Sequence, residues 1–188
     1  DVMTILTNGG GAGVMAADAA AWAGVTLAQL GEATRQQLDA VLPANWSHGN
    51  PVDIIGDAPV ARYEQALKIL TDDPASGALL FIHAPTAIVP SADIARALVP
   101  LAQHESYVPP RLMSCWLGDS AVAEARGIFQ GANIANYDTP EQAVRAFAML
   151  GNYRRNQAEL SEAPSALQAD LRPDTATIKA IISKALAA

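Results

Sequence analysis

Short apolar runs, set apart by polar stretches with glycine and proline, recur along the chain. Five such runs, at residues 2–7, 26–30, 77–82, 111–116 and 133–137, are apolar or β-branched and too short for helices, so they predict strands. Between them the apolar positions shift to a spacing of three and four. That spacing predicts helices at 14–23, at 34–41 with Thr34 as N-cap, and behind Pro59, where Tyr63, Ala66, Leu67 and Leu70 share one face. Two further helices, 91–103 and 120–130, each open on a serine able to cap free N–H groups. The clearest helix start is Thr139-Pro-Glu-Gln142. Its threonine caps, proline takes the first helical position, Gln142 reaches back, and Val144, Phe147 and Leu150 form an apolar stripe.

Strict alternation of strand and helix implies a parallel sheet covered on both faces. Right-handed crossovers then lead to a doubly wound, flavodoxin-like α/β fold of five parallel strands in the order 2-1-3-4-5. The expected domain covers residues 1–156. Residues 157–174 carry two prolines, serines and scattered charges without periodicity, the signature of a linker. A short apolar helix capped by Asp174 or Thr175 follows through Leu186. It has nothing of its own to pack on, so it is expected to start the next domain of a longer protein.

Composition narrows the function. A formal charge of -7 without a basic cluster argues against nucleic acid or anionic membrane as partner. The single cysteine, Cys115, cannot form an internal disulfide, which fits a reducing compartment and makes the cytoplasm the expected location. No run approaches the roughly 20 apolar residues of a membrane span, and the N-terminal residues lack the pattern of a signal peptide. A chain that opens on Asp1 and runs at once into a strand reads as a segment of something longer.

Three βα connections carry candidate chemistry. Asn8, Gly9, Gly10, Gly11, Ala12 and Gly13 join the first strand to the first helix, where backbone can approach a ligand and helix-start N–H groups favour phosphate or carboxylate. A tight turn packing helix on strand accounts for these glycines equally well. The helix that follows carries only Asp18 as a charged residue, so another domain is expected to cover it. In Asn50-Pro-Val-Asp-Ile-Ile-Gly-Asp-Ala58, Asn50, Asp53 and Gly56 are candidate substrate or domain-interface residues. The plainer reading has Asp53 bonding backbone in the turn and Asp57 capping the next helix. The third connection supplies His83, Pro85 and Thr86 at the carboxyl edge of the sheet. His83 could be catalytic or structural, and neither His48 nor His104 sits in a triad or metal spacing. No metal ligands and no catalytic residue are assigned within the chain.

As an ordered set, Leu6-Thr-Asn-Gly-Gly-Gly-Ala-Gly-Val-Met-Ala-Ala-Asp18, the Asn50 to Ala58 block and Tyr63-Glu-Gln-Ala-Leu-Lys-Ile-Leu-Thr-Asp-Asp73 resemble the nucleoside-diphosphate-forming acyl-CoA synthetases. The same blocks are similar to the C-terminal domain of the succinyl-CoA synthetase β subunit. Thr139-Pro-Glu-Gln-Ala-Val144 and Tyr153-Arg-Arg-Asn-Gln157 resemble the end of that module, and the residues from Arg172 onward resemble the approach to an ATP-grasp domain.

The resemblance implies an acid–thiol ligase of the ADP-forming acetate–CoA type. Acyl-CoA and phosphate give acyl phosphate, the phosphoryl group passes to a histidine of a neighbouring domain, and the phosphohistidine phosphorylates ADP, all reversibly. Phosphate is held between the N-termini of two helices from two flavodoxin-like domains, one of which the loop from Asn8 to Gly13 would supply. CoA, ATP or ADP and magnesium are then expected of the whole protein, none held tightly by this domain. Its partners would be the CoA-binding, histidine-bearing and ATP-grasp domains. The family's Ser-His-Thr-Gly or Gly-His-Ala-Gly motif is absent, so the phosphohistidine role is not carried over to His48, His83 or His104. Ala84-Pro85 replaces a glycine pair of the succinyl-CoA synthetases and removes a backbone donor.

Two rival functions remain. The same module occurs in protein lysine acetyltransferases, where it would sense acyl-CoA without turnover. A dinucleotide-binding domain also fits Gly11-Ala-Gly-Val-Met-Ala16 followed by Glu32, yet leaves the Asn50 to Ala58 block unexplained. A receiver-type signalling domain fits worse, because no acidic pair follows the first strand.

Overall fold

The computed structural model describes residues 2–103, 112–161 and 174–187. The chain divides into two units, residues 1–153 and 154–188. His104, Arg111 and most of the expected linker lie outside the described residues.

The first unit is built on a parallel sheet. In chain order its elements are β1 (Val2–Thr7), α1 (Gly10–Ala23), β2 (Thr26–Leu27), α2 (Glu32–Val41), β3 (Val52–Asp53), α3 (Val60–Asp72), β4 (Ala78–His83), α4 (Ser91–Ala102), β5 (Leu112–Trp116), α5 (Ala123–Gly131), β6 (Ala135–Tyr137) and, up to residue 153, the helix α6 (Pro140–Ser161). The sheet runs β2-β1-β4-β5-β6, and every pairing in it is parallel. The doubly wound α/β expectation therefore holds, in the expected order.

One strand more is present than the hydrophobic pattern predicts. β3 pairs with the end of β1 through Leu6–Val52 and Thr7–Asp53, while β2 pairs with its beginning through Val2–Thr26 and Met3–Leu27. Two short strands thus share one flank of β1. The interval between them is bridged by a side chain. Asn50 accepts from the Ile5 N–H at 2.9 Å and donates to the Met3 and Ala28 carbonyls at 2.9 Å each, imitating the missing strand backbone. A two-residue strand behind a proline has no periodicity to betray it.

Two cores flank the sheet. One face packs Leu6, Phe81, Trp116, Tyr63, Leu67 and Phe129 beneath α2 to α5, and the other packs Ile5, Leu80, Ile82 and Cys115 with Ala16, Ala20 and Val144 of α1 and α6. Alanines on the inner face of α1 let it sit close to the strands. Its outer face stays uncovered, with Val14, Met15 and Trp22 exposed, Trp22 by 86%.

Several helix starts differ from expectation. Thr34 lies inside α2, whose N-cap is Gly31, and its hydroxyl donates instead to Asp73 at 2.6 Å. Ser91 is the first residue of α4 and caps nothing. Ser120 opens a short 3-10 turn ahead of α5, likewise without a side-chain cap. The Thr139 start is as expected: its hydroxyl accepts from the Gln142 N–H at 3.3 Å, and the Gln142 side chain accepts from the Asp138 N–H at 3.2 Å. α6 continues to Ser161, so residues 157–161, expected to begin a linker, are helical.

The second unit contains α7 (Thr175–Leu186), capped by Asp174, which accepts from the Thr177 N–H at 3.0 Å. Ile178, Ile181 and Ile182 on it are exposed. No helix of the described residues is long and apolar enough to cross a membrane.

Candidate functional site

Parallel strands end together, and the connections leaving β1, β3 and β4 meet at the carboxyl edge of the sheet. Asn8, 3% exposed, ties two of them: its amide donates to the Ala84 carbonyl and its carbonyl oxygen accepts from the Ala84 N–H, both at 2.8 Å. The third is drawn in by close packing. A β-carbon on Gly56 would stand 3.6 Å from the Asn8 carbonyl oxygen.

The glycine run is not a loop before the helix, as the sequence suggested, but the first turns of the helix itself, since α1 begins at Gly10 with Gly9 as N-cap. Glycine is a poor helix former, so proximity must account for the run. A β-carbon on Gly13 would meet Thr7 Cγ2 at 3.1 Å and Pro51 Cβ at 3.2 Å. On Gly9 it would meet the Ala84 β-carbon at 3.3 Å, and on Gly10 the Asp53 Oδ2 at 3.0 Å. Gly11 differs: nothing lies within 4 Å. Packing explains three of the glycines and leaves the fourth facing open space.

Backbone donors stand beside that opening. The Ala12 and Gly13 N–H groups both donate to the Gly9 carbonyl, and the Gly9 N–H donates to the Thr7 hydroxyl at 3.1 Å. Helix geometry gives the Gly10 and Gly11 N–H groups no partner within α1. Two unspent donors at the positive end of a fourteen-residue helix suit an anion.

The second connection keeps its acids for structure. Asp53 Oδ1 accepts from the Ile55 N–H at 2.9 Å, the expected turn, and Ile55 takes a positive φ of 68°. Asp57 does not cap α3. It pairs with Arg62 at 2.5 Å, and Arg62 also donates to the Ile54 carbonyl at 3.1 Å. The amide of Asn50 is spent inside the sheet, and its bond to Pro51 is cis.

His83 ends β4 with 0% exposure. Its Nε2 lies 3.0 Å from the Ser91 hydroxyl and its Nδ1 3.5 Å from the Tyr63 hydroxyl, while Trp116 and Phe81 crowd the ring. Burial lowers its pKa to about 4 and raises that of Tyr63 to about 12. This is a neutral ring held in the core. Ser91 and Tyr63 were not foreseen as its partners, because neither neighbours it in sequence. Pro85 approaches Gly118 of the β5 connection, and the Thr86 hydroxyl accepts from the Ile88 N–H at 3.4 Å. Elsewhere His48 packs on Trp46 and pairs with Asp39 at 3.0 Å, beside a 370 Å³ cleft lined by Leu27, Arg35 and Asn50. Among the described residues, no group of three or more His, Cys, Asp or Glu side chains could hold a metal ion.

Comparison with known proteins shows the family and the fold. Residues 3–161 match the model of the Ligase-CoA domain. The ADP-forming acetate–CoA ligase I of Archaeoglobus fulgidus is 39% identical over 157 residues, 84% of this chain and 22% of the relative. The α subunit of the ADP-forming acetate–CoA ligase I of Pyrococcus furiosus is 29% identical over 162 residues, 86% of this chain and 35% of the relative. Among solved structures, the dinucleotide-forming acetyl-coenzyme A synthetase 1 of Ca. Korarchaeum cryptofilum, in complex with phosphate and ADP, superposes with a TM-score of 0.78 at 30% identity. That match covers 86% of this chain and 35% of the other. The chain thus spans about a fifth to a third of the length of these relatives.

Proposed function

Because the chain belongs to the Ligase-CoA domain family, we propose that it is the phosphate-holding domain of an ADP-forming acyl-CoA synthetase, an acid–thiol ligase. In the reaction, phosphate attacks the acyl-CoA carbonyl and CoA thiolate leaves, giving acyl phosphate. A histidine of a neighbouring domain then takes the phosphoryl group and frees the carboxylate, and ADP accepts it to become ATP. This chain's part is positional. The Gly10 and Gly11 N–H groups, aimed out of α1, hold phosphate oxygens while charge shifts among them, and the unobstructed face of Gly11 lets the ligand reach them.

The observation that carries this reading is the contrast among the glycines: only Gly11 lacks an internal neighbour within 4 Å among those of the α1 start. His83 is left out of the phosphoryl relay, since its ring is sealed in the core. CoA, the nucleotide and magnesium belong to the other domains of the whole enzyme in this reading, which places it in the cytoplasm. The sensing role in a lysine acetyltransferase gains no particular support. The dinucleotide reading is not favoured by the family match.

Titration of the chain with inorganic phosphate tests this directly. The expected result is a saturable shift of the Gly10 and Gly11 amide resonances, with no ATP formation from acyl-CoA, ADP and phosphate by the chain alone. Unmoved amides at tens of millimolar phosphate would remove the domain from the phosphate path, and turnover by the chain alone would remove the need for neighbouring domains.

A further inference from the structure

The carboxylate of Asp53 is positioned where an arriving anion must feel it. Asp53 lies in β3, whose pairing with Thr7 fixes its backbone, and its N–H donates to the Ser47 hydroxyl at 2.9 Å. One carboxylate oxygen is held by the Ile55 N–H at 2.9 Å. The other, Oδ2, takes the space that a Gly10 side chain would fill, 3.0 Å from the position of its β-carbon. A side chain on Gly10 would press on that carboxylate oxygen, which stands beside the first residue of α1. Among the described residues no cation pairs with that carboxylate. The nearby Arg62 is engaged by Asp57 and the Ile54 carbonyl.

A fixed carboxylate beside a helix N-terminus is itself stabilised there. It also repels any second anion that comes to the same donors. Resting on the phosphate reading above, we propose that Asp53 is a specificity-determining residue of this site, a built-in counter-anion that holds free phosphate affinity low and keeps the donors from being saturated by adventitious anions. Its effect is electrostatic and does not require contact with phosphate.

The geometry gives a test, because Asp53→Asn keeps the side-chain oxygen that receives the Ile55 N–H and replaces the charged second oxygen with a neutral NH2 group. Inorganic phosphate is titrated into the chain and into the variant, followed by the Gly10 and Gly11 amide resonances. At low ionic strength D53N is expected to bind roughly tenfold tighter or more, the scale of one like charge a few ångströms away at a partly solvated surface. The ratio should shrink in 0.5 M chloride, a salt dependence that a merely structural role would not produce. Asp57→Asn, which removes an acid paired to Arg62 on the same connection, should change affinity far less. Melting curves confirm that both variants fold.

Equal or weaker binding by folded D53N would overturn the inference while leaving the phosphate site standing, provided the chain itself binds. Binding by neither protein would overturn the site and the inference together. Binding by D53N alone would support both.

Discussion

The start of α1 and the end of β4 lie side by side at one sheet edge, joined by the two hydrogen bonds between Asn8 and Ala84, and they hold their polar groups in opposite ways. At the end of β4 the titratable group is a histidine with both ring nitrogens turned toward hydroxyls and no solvent exposure. At the start of α1 no side chain could react, yet two backbone donors remain unspent beside an open glycine face. Chemistry at this edge therefore rests on the backbone. His83, the histidine at this edge, is withdrawn into the core.

The largest expected effect separates two glycines of the α1 start. Gly11→Val should leave the fold intact, since nothing lies within 4 Å of its β-carbon position. In the whole enzyme it should lower phosphohistidine formation about a hundredfold or more, the usual scale for losing one preorganised donor, about 2.7 to 4 kcal/mol. CoA affinity should be spared. Gly13→Val presses on Thr7 and Pro51 instead and should cost about 1 to 3 kcal/mol of stability. Near-normal phosphorylation in folded Gly11→Val would take Gly11 out of the phosphate path.

Acid breaks the comparison from the β4 side. The folded pKa of His83, about 4, lies below its ordinary 6.5, so the unfolded chain takes up the proton first as pH falls. Stability from this group is fully present above pH 6.5 and is lost progressively toward pH 4, on the order of 3 kcal/mol in all. Chemical denaturation between pH 7 and 4 measures it. In His83→Gln the slope over that window should flatten, and an unchanged slope would assign the acid sensitivity elsewhere.

The staple between the two regions comes next. Asn8→Ala removes two partly buried hydrogen bonds and leaves the N–H and carbonyl of Ala84 without that partner, which should cost about 2 kcal/mol. It should also broaden the Gly10 and Gly11 amide resonances, because the helix start loses its tie to β4. A loss of stability without any change at those amides would show the two connections to be independent.

How far the sequence discloses this arrangement depends on the range of each interaction. Apolar runs of adequate length located β1, β4 and β5, strand–helix alternation with right-handed crossovers led to the sheet order, and the Thr139 start was legible because its partners are neighbours in the chain. Thr34 bonds Asp73, thirty-nine residues away, and Ser91 bonds His83 across a turn, so helix-start rules alone misassigned both hydroxyls as caps. β3 escaped notice because its neighbour along β1 is an asparagine side chain rather than more strand. The candidate residues Asn8 to Gly13, Asp53, Gly56, His83, Pro85 and Thr86 do cluster at the carboxyl edge, as topology requires, whereas Asn50 serves the sheet. What the glycines touch, and that Gly11 touches nothing, depends on packing distances that spacing cannot convey.

The smallest effect concerns the outer face of α1. Trp22 and His83 both carry large rings, but one is 86% exposed and the other 0%. A ring that leaves little area in water on unfolding contributes little to folding, so Trp22→Ser should shift stability by less than about 0.5 kcal/mol. Helix propensity is nearly equal for the two residues, which removes the obvious competing cause. Val14 and Met15 are exposed on the same helix, and with Trp22 they give it an apolar surface that the described residues of the first unit do not cover. Denaturant unfolding of the variant, with the slope compared as well as the midpoint, checks the expectation. A loss above 1 kcal/mol would mean that Trp22 is packed within this chain, and α1 would then owe its placement to both of its faces rather than to the alanines against the sheet.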